Sequence, residues 1–146
     1  MASTAFEAAR KLHELLDART DLGEATVWRG YPGEQAGAEL VWIGGIDRST
    51  QSTQALGQRA RDETYTVPVY LDVALNTNDP ADVWDRVEAL FHVVEDTVRQ
   101  HPRLDGVVNK WAEIDGSPDT IVEAQPVTDT AYGAVVRVDV ACQARI

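Results

Sequence analysis

The residue of this chain with the strongest claim to chemistry is His92, which stands three residues before Glu95. That spacing places both side chains on one face of a helix, where a histidine and a carboxylate could begin a metal site. Such a site needs further ligands converging from other elements. Because Phe91 and Val93 adjoin His92 near an apolar helix face, we interpret it as a half-buried packing residue, and we expect no metal or other cofactor.

Carboxylates are plentiful, and several of them fall on the outer face of one predicted helix. The candidates are Asp62, Glu63, Asp72, Asp79, Asp82, Asp85, Glu88, Glu95 and Asp96. Hydrolysis of a glycosidic bond needs one defined pair of carboxyl groups, and nothing in the sequence selects a pair. The chain also has no G-x-S-x-G, H-E-x-x-H, Walker A or G-x-G-x-x-G motif. The sequence therefore offers no specific support for an enzyme.

Four tryptophans, Trp28, Trp42, Trp84 and Trp111, could stack on a ligand. Tryptophans on sheet and helix faces are more often core residues or anchors of a protein interface. A small-molecule-binding or hydrolytic domain, with a pocket near Trp42, Trp111 and His92, therefore stays as an alternative of a different class.

Composition narrows the range of partners. The chain has 13 Lys and Arg against 24 Asp and Glu, a formal net charge of −11 at pH 7. Phosphate binding needs a cationic surface, so nucleic acid is not expected as a direct partner. No apolar run approaches the roughly 18 residues of a membrane span, and the N-terminus lacks the order of a signal peptide. The single cysteine, Cys142, is interpreted as a small buried hydrophobe. We expect a protein made and folded in a cytoplasm.

Two amphipathic helices are predicted to position these side chains. The first covers residues 3–19, where Thr4 and Glu7 have capping-box spacing ahead of an apolar stripe. The second lies within residues 76–102, where Asp79 is suited to cap the helix and the following proline to occupy its first position.

Alternating apolar residues predict a sheet. Strands are expected at 25–30, 39–46, 106–114, 120–128 and 131–146, besides the long strand described next. We expect all 146 residues to form a single domain, since no linker or repeat interrupts them. The predicted fold class is α+β: a mixed, mostly antiparallel sheet with two helices packed on one face and a long protruding β-hairpin or loop.

The long strand lies in residues 60–75, ARDETYTVPVYLDVAL, where the odd positions from Tyr65 to Leu75 are apolar. Pro68 lies among the even positions and cannot donate to a sheet ladder, so it favours an edge strand or a bulge. A long edge that is apolar on one side aggregates unless it is covered. We therefore expect a neighbouring subunit close to this strand.

The segment that precedes it, residues 47–63, is polar and carries Arg48, Arg59 and Arg61. It is too long for a tight hairpin turn. Either it is a mobile loop, or the flanking strands extend through it as a long protruding hairpin. Loops of this length without structure of their own tend to be functional or disordered.

The order of these segments resembles that of the tail terminator, or tail-completion, proteins of long-tailed bacteriophages, especially phages of actinobacteria. An amphipathic helix leads to ELVWIGGI, and a polar arginine-bearing stretch leads to RARDETYTVPVYLDV. A helix follows that begins DPADVWDRVEALFHVVEDTVRQHPRL, and after it come WAEIDG and a last strand that finishes RVDVACQARI. The resemblance covers nearly the whole chain and is a pattern of segments with no catalytic signature.

The resemblance implies a structural virion protein without enzymatic activity. Its members form hexameric rings on the end of the tail tube, which stop tube growth and join the tail to the head-completion (neck) proteins. By this resemblance the chain is a homo-oligomer in the virion, assembled in the host cytoplasm, and its partners are the tail tube protein and the neck proteins. DNA passes through the lumen without specific binding, and no membrane is involved.

The resemblance also implies which residues meet neighbouring subunits, since strands and their connecting loop project between subunits in this family. The expected interface residues are Arg48, Gln51, Gln54, Leu56, Arg59, Arg61, Tyr65 and Pro68. Arginines in an otherwise acidic chain suit acidic partner surfaces. An alternative within the same class is a connector protein on the head side of the neck.

Overall fold

The computed structural model describes residues 3–33, 39–53, 61–115, 120–121, 125–128 and 131–145. In chain order the elements are α1 (Ala5–Asp17), β1 (Thr26–Arg29), β2 (Glu39–Ile43), β3 (Asp47–Thr53), β4 (Arg61–Leu75), α2 (Pro80–Gln100), β5 (Trp111–Ile114), β6 (Thr120–Ile121), β7 (Gln125–Thr128) and β8 (Ala131–Arg145). Both helices pack on one face of a single sheet, which confirms the predicted α+β class.

The sheet is built around its two longest strands, β4 and β8, which pair antiparallel from Asp62–Arg145 to Leu75–Tyr132. The strand order is β1-β2-β4-β8-β5. The short strand β3 continues the line of β2 along the first part of β4, while β6 and β7 continue the line of β5 along β8. Only the β1–β2 pair is parallel among the described strands, so the sheet is mixed and mostly antiparallel, as predicted.

The core lies between the helices and one face of β4 and β8. It takes the odd-numbered side chains of β4 from Tyr65 to Val73 and the even-numbered side chains of β8 from Ala134 to Ala144. The period-two pattern of the sequence therefore identified the buried face of both long strands. Cys142 lies in this core, where burial raises the pKa of its thiol to about 12 and keeps it protonated at neutral pH.

The two helices begin in different ways. At α2, the Asp79 carboxylate accepts a hydrogen bond from the backbone N–H of Ala81 at 3.0 Å, as predicted. At α1, the predicted capping box is wrong, because the Thr4 side chain makes no capping bond within the helix. The Thr4 backbone N–H and hydroxyl instead donate to the Glu63 carboxylate of β4, at 3.0 and 3.2 Å.

Pro68 is predicted at an edge strand or a bulge. It lies in an interior strand, so the edge position is wrong, and it lies opposite an interruption of the neighbouring ladder. β4 is flanked by β8 on one side and by β2 and β3 on the other. The Pro68 carbonyl accepts from the Gly44 N–H at 2.9 Å, in the interval where β2 has ended and β3 has not begun. The N and C=O of one strand residue point to the same side, so the missing donor of Pro68 faces this break and interrupts no ladder.

The polar segment 47–63 contributes a hairpin, one of the two predicted alternatives. β3 pairs antiparallel with the start of β4, with Gln51 opposite Glu63 and Thr53 opposite Arg61. This part of β4 also pairs with β8, so that arm of the hairpin belongs to the main sheet. Residues 54–60, which connect the two arms, lie outside the described residues.

The connection after α2 differs from the predicted strand at 106–114, because strand structure begins only at Trp111. Leu104 and Asp105 have positive φ angles of 46° and 55°, and Gly106 follows at 92°. These left-handed conformations turn the chain sharply, while the Leu104 side chain remains fully buried in the core.

Candidate assembly surface on the helix-free face

The sheet has a second face, over which no described helix packs. Its side chains alternate with those of the core along each strand. Those that matter here are Trp28, Leu40, Trp42, Tyr70, Asp72, Val135 and Arg137, and we call this set the helix-free face. Two of its apolar side chains are exposed, Trp28 at 40% and Val135 at 39% of full exposure, whereas Leu40 is buried.

An aromatic row crosses this face. Strand register places Trp28 opposite Trp42, Trp42 opposite Tyr70, and Tyr70 opposite Arg137. The rings of Trp42 and Tyr70 stack nearly parallel with centroids 4.0 Å apart, and Tyr31 tilts against Trp42 at 5.3 Å. Cross-strand aromatic pairs stabilise a sheet, and exposed Trp and Tyr side chains are typical anchors of protein interfaces.

Arg137, at one end of the row, is held by two carboxylates. Its Nε donates to Asp139 at 2.7 Å, and its Nη2 donates to Asp47 at 3.0 Å. These hydrogen bonds, that to Asp139 first, raise the pKa of the Arg137 guanidinium above its usual range. The ion pairs also connect β8 to β3 and hold the hairpin arm against the sheet.

Two polar groups on this face have no hydrogen-bond partner in the part of the chain that the structure describes. Asp72 lies between Leu40 and Val135 on the flanking strands, and burial alone raises the pKa of its carboxyl group. The Trp42 Nε1–H is buried without an acceptor. Leaving the buried Trp42 Nε1–H unsatisfied destabilises the single chain by about 1–3 kcal/mol. Asp72 is half-buried and still reaches solvent, so its penalty is smaller.

The predicted interface residues are distributed over two places. Arg48 and Gln51 belong to β3, and Arg61 begins β4, so these three come together in the hairpin. Gln54, Leu56 and Arg59 lie outside the described residues.

The last two predicted interface residues, Tyr65 and Pro68, are buried within this chain. The Tyr65 hydroxyl lies 2.8 Å from the Thr4 hydroxyl, and burial raises the pKa of the Tyr65 phenol. Tyr65 therefore fixes α1 to β4. Sequence reasoning missed the helix-free face, although alternation along β2 and β4 marks Trp42 and Tyr70 as a shared surface.

Among the described residues, Trp42, Trp111 and His92 do not come together in the predicted pocket. Trp111 borders a cavity of about 480 Å³ at the end of α2 that neither of the other two residues lines. Trp42 lies on the helix-free face, separated from the strand of Trp111 by β4 and β8. His92 is exposed on α2, near Glu88 and Glu95 at 3.5 and 3.8 Å, so its predicted packing role is wrong.

Neither a metal site nor a membrane-spanning helix occurs among the described residues. No group of three or more His, Cys, Asp or Glu side chains in these ranges is arranged to hold a metal ion. None of the described helices combines the length and apolar character needed to cross a membrane.

Comparison with known proteins relates the chain by fold. No protein-family model matches the sequence, and no curated protein matches it. Among solved structures, it is similar to a chain from the virion of a native gene transfer agent particle, with a TM-score of 0.51 and 13% sequence identity. The match covers 97% of this chain and 99% of that chain, so the two share a fold along almost their full lengths.

Proposed function

We propose that this chain is a structural subunit of a phage-like virion, with no enzymatic activity. The observation that carries the proposal is the fold shared with a chain of a gene transfer agent virion, over 97% of this chain and 99% of that one. The segment pattern of tail terminator proteins supports a more specific role. In this role, six copies of the chain form a ring that caps the tail tube. The ring stops the growth of the tube and joins it to the neck proteins.

The surfaces of the chain suit a ring. The outer edge of β3 has no strand partner among the described residues, and it carries Arg48 and Gln51 of the predicted interface. A strand of a neighbouring copy could pair with this edge and cover it. Gln54, Leu56, Arg59 and Arg61 would extend the contact, while Tyr65 and Pro68 support it from within the chain.

The charge of the chain suits a channel that DNA crosses. Asp82, Asp85 and Glu88 are exposed on α2, on the opposite side of the molecule from the helix-free face. With α2 towards the lumen, their carboxylates would repel phosphates and let DNA slide without adhesion. A structure of the assembled ring tests this orientation, and a strongly basic lumen would contradict it.

Deletion of the gene followed by electron microscopy of the particles tests the role. We expect tails of unregulated length beside unattached, filled heads, because tube growth would lack its stop and the head its attachment site. The control is the same deletion complemented from a plasmid, which should restore tails of one length. Tails of normal length beside leaking heads would contradict termination and would indicate a connector on the head side.

A further inference from the structure

We infer that the helix-free face binds an arginine-bearing segment of another protein, whose guanidinium pairs with Asp72 and whose stem lies on the Trp42–Tyr70 stack. This inference rests on the proposed function in one respect, since it takes the partner to be another protein of the particle. The helix-free face would then recognise a guanidinium group, and Asp72 would be the carboxylate that pairs with it.

The Asp72 carboxylate belongs to an interior strand but has no partner among the described side chains. It is half-buried between Leu40 and Val135, and none of the described side chains donates to it or pairs with it. A cation brought by a partner would remove the penalty of partial burial and gain a charge-assisted hydrogen bond.

Arg137 is the cation that this chain could supply to Asp72 itself. Arg137 lies on the same face, one strand away from Asp72 and two residues out of register. Its Nε and Nη2 are already bound to Asp139 and Asp47, at 2.7 and 3.0 Å. Turning Arg137 to Asp72 would break both bonds, so an intermolecular cation is the better partner for Asp72.

The cation that suits this surface best is the guanidinium group of an arginine. Tyr70, two residues before Asp72 on the same face of β4, forms with Trp42 a stacked pair whose centroids are 4.0 Å apart. A planar guanidinium stacks on aromatic rings and forks onto a carboxylate, and an ammonium group does neither as well. The exposed Trp28 and Val135 offer apolar area on either side, so arginine between apolar residues fits this surface. The formal charge of −11 also attracts a basic segment from a distance.

The test uses the gene deletion complemented with variants, and it counts copies of the chain per purified particle by quantitative mass spectrometry. We expect Asp72→Arg to lower the count about tenfold or more, because loss of a desolvated charge pair weakens an interface by at least about 30-fold. Asp72→Asn should lower it less, since it adds no repulsion. The matched controls, Asp17→Arg and Asp17→Asn, change an exposed carboxylate of α1 and should leave the count unchanged.

A second measurement identifies the occupant. A photo-reactive benzoylphenylalanine replaces the exposed Val135, with the same probe at Glu88 on α2 as control, and the cross-linked peptides are sequenced from assembled particles. We expect the Val135 probe to capture a segment of a different protein that contains an arginine. Replacing that arginine with aspartate should restore the number of copies of the Asp72→Arg variant per particle, because the two charges are then exchanged across the contact.

Each opposing result has a distinct meaning. Capture of another copy of this chain, or of a segment without arginine, would overturn the inference. So would Asp72→Arg particles with a wild-type count. If the deletion itself leaves particles intact, the proposed function fails. If the deletion is defective while Asp72→Arg is normal, this inference alone fails. Circular dichroism of the purified variants establishes that both fold.

Discussion

At the residue scale, two carboxylates of β4 have opposite effects on the same chain. Glu63 is fully buried, yet its carboxyl oxygens accept hydrogen bonds from Thr4 and from the Ser3 hydroxyl at the start of α1. Asp72 lies on the other face of the strand and has no such donors in the described part of the chain. The first residue stabilises the fold, whereas the second destabilises the single chain.

Replacing Glu63 with alanine should therefore weaken the attachment of α1. We expect the free energy of unfolding to fall by about 1–3 kcal/mol, because the Thr4 N–H and two hydroxyl groups lose their acceptor. Urea denaturation measures the change. Glu113→Ala, at an exposed position of β5, is the control and should change the free energy of unfolding by less than about 0.5 kcal/mol. Equal effects of the two substitutions would contradict the role of Glu63.

Asp72→Asn should stabilise the single chain at neutral pH. Burial raises the pKa of Asp72 in the folded state above the ordinary value of 3.8, so the folded chain binds this proton more tightly than the unfolded chain. The destabilisation by Asp72 is thus complete above its folded pKa and disappears as the pH falls below 3.8. We expect an advantage of the variant of about 0.5 kcal/mol or less at pH 7 and none in acid.

Urea midpoints of both proteins at pH 7 and at pH 3.5 measure this difference. Asp85→Asn, at an exposed site on α2, should show no such pH-dependent advantage. A variant less stable than the wild type at pH 7 would mean that Asp72 has a stabilising partner within the chain.

At the element scale, the break between β2 and β3 determines the packing of the helix-free face. A Cβ atom at Gly44 would lie 2.7 Å from Tyr70 Cε2 and 3.2 Å from Pro68 Cγ. The Tyr70 ring cannot yield easily, because it is stacked on Trp42. The glycine therefore allows the chain to pass close over β4 at the point where the strands change.

Gly44→Ala should disturb this stack, while Gly45→Ala should not. A Cβ at Gly45 meets nothing within 4 Å, so the neighbouring glycine is a matched control. We expect Gly44→Ala to destabilise the chain by about 1–3 kcal/mol through overpacking. Near-ultraviolet circular dichroism should report the altered aromatic pair. Unchanged spectra and stability in Gly44→Ala would show that the ring of Tyr70 moves freely.

At the scale of the whole molecule, the helices cover one face of the sheet, and no described helix covers the other face or the hairpin, which are the proposed contact surfaces. The formal charge of −11 opposes association of identical copies, so local cations have to offset it at their contacts. The predicted interface places three arginines, Arg48, Arg59 and Arg61, in one segment, and this segment is the natural choice for such contacts.

Arg59→Glu should therefore impair ring formation, whereas Arg99→Glu should not. Both substitutions change the net charge equally, and Arg99 is an exposed residue of α2 with a side chain 70% accessible. Native mass spectrometry with isolated tail tubes measures ring binding by each variant. We expect at least about a tenfold loss for Arg59→Glu, the size typical of reversing a charge at an interface. Equal binding by the two variants would exclude Arg59 from the contact.

The sequence by itself determined the two helices, the two long strands and the buried side of each. Period-two spacing along β4 and β8 and three-to-four spacing along the helices are local properties. The order of apolar and polar residues within one element decides which side of that element is buried. The α+β class followed from the order of these elements. The cap on α2 was also predictable, since the Asp79 carboxylate and the backbone N–H of Ala81 that donates to it are two residues apart.

Only the tertiary structure decided which elements meet. Glu63 lies 59 residues from Thr4, so no local pattern could show that it replaces Glu7 as the partner at α1. Pro68 is tolerated inside the sheet because two strands from a distant segment leave a break at its nitrogen. The aromatic row and the unpaired Asp72 likewise depend on the register between strands. Register is set by the simultaneous packing of the whole core, and side-chain spacing within a single strand does not contain it.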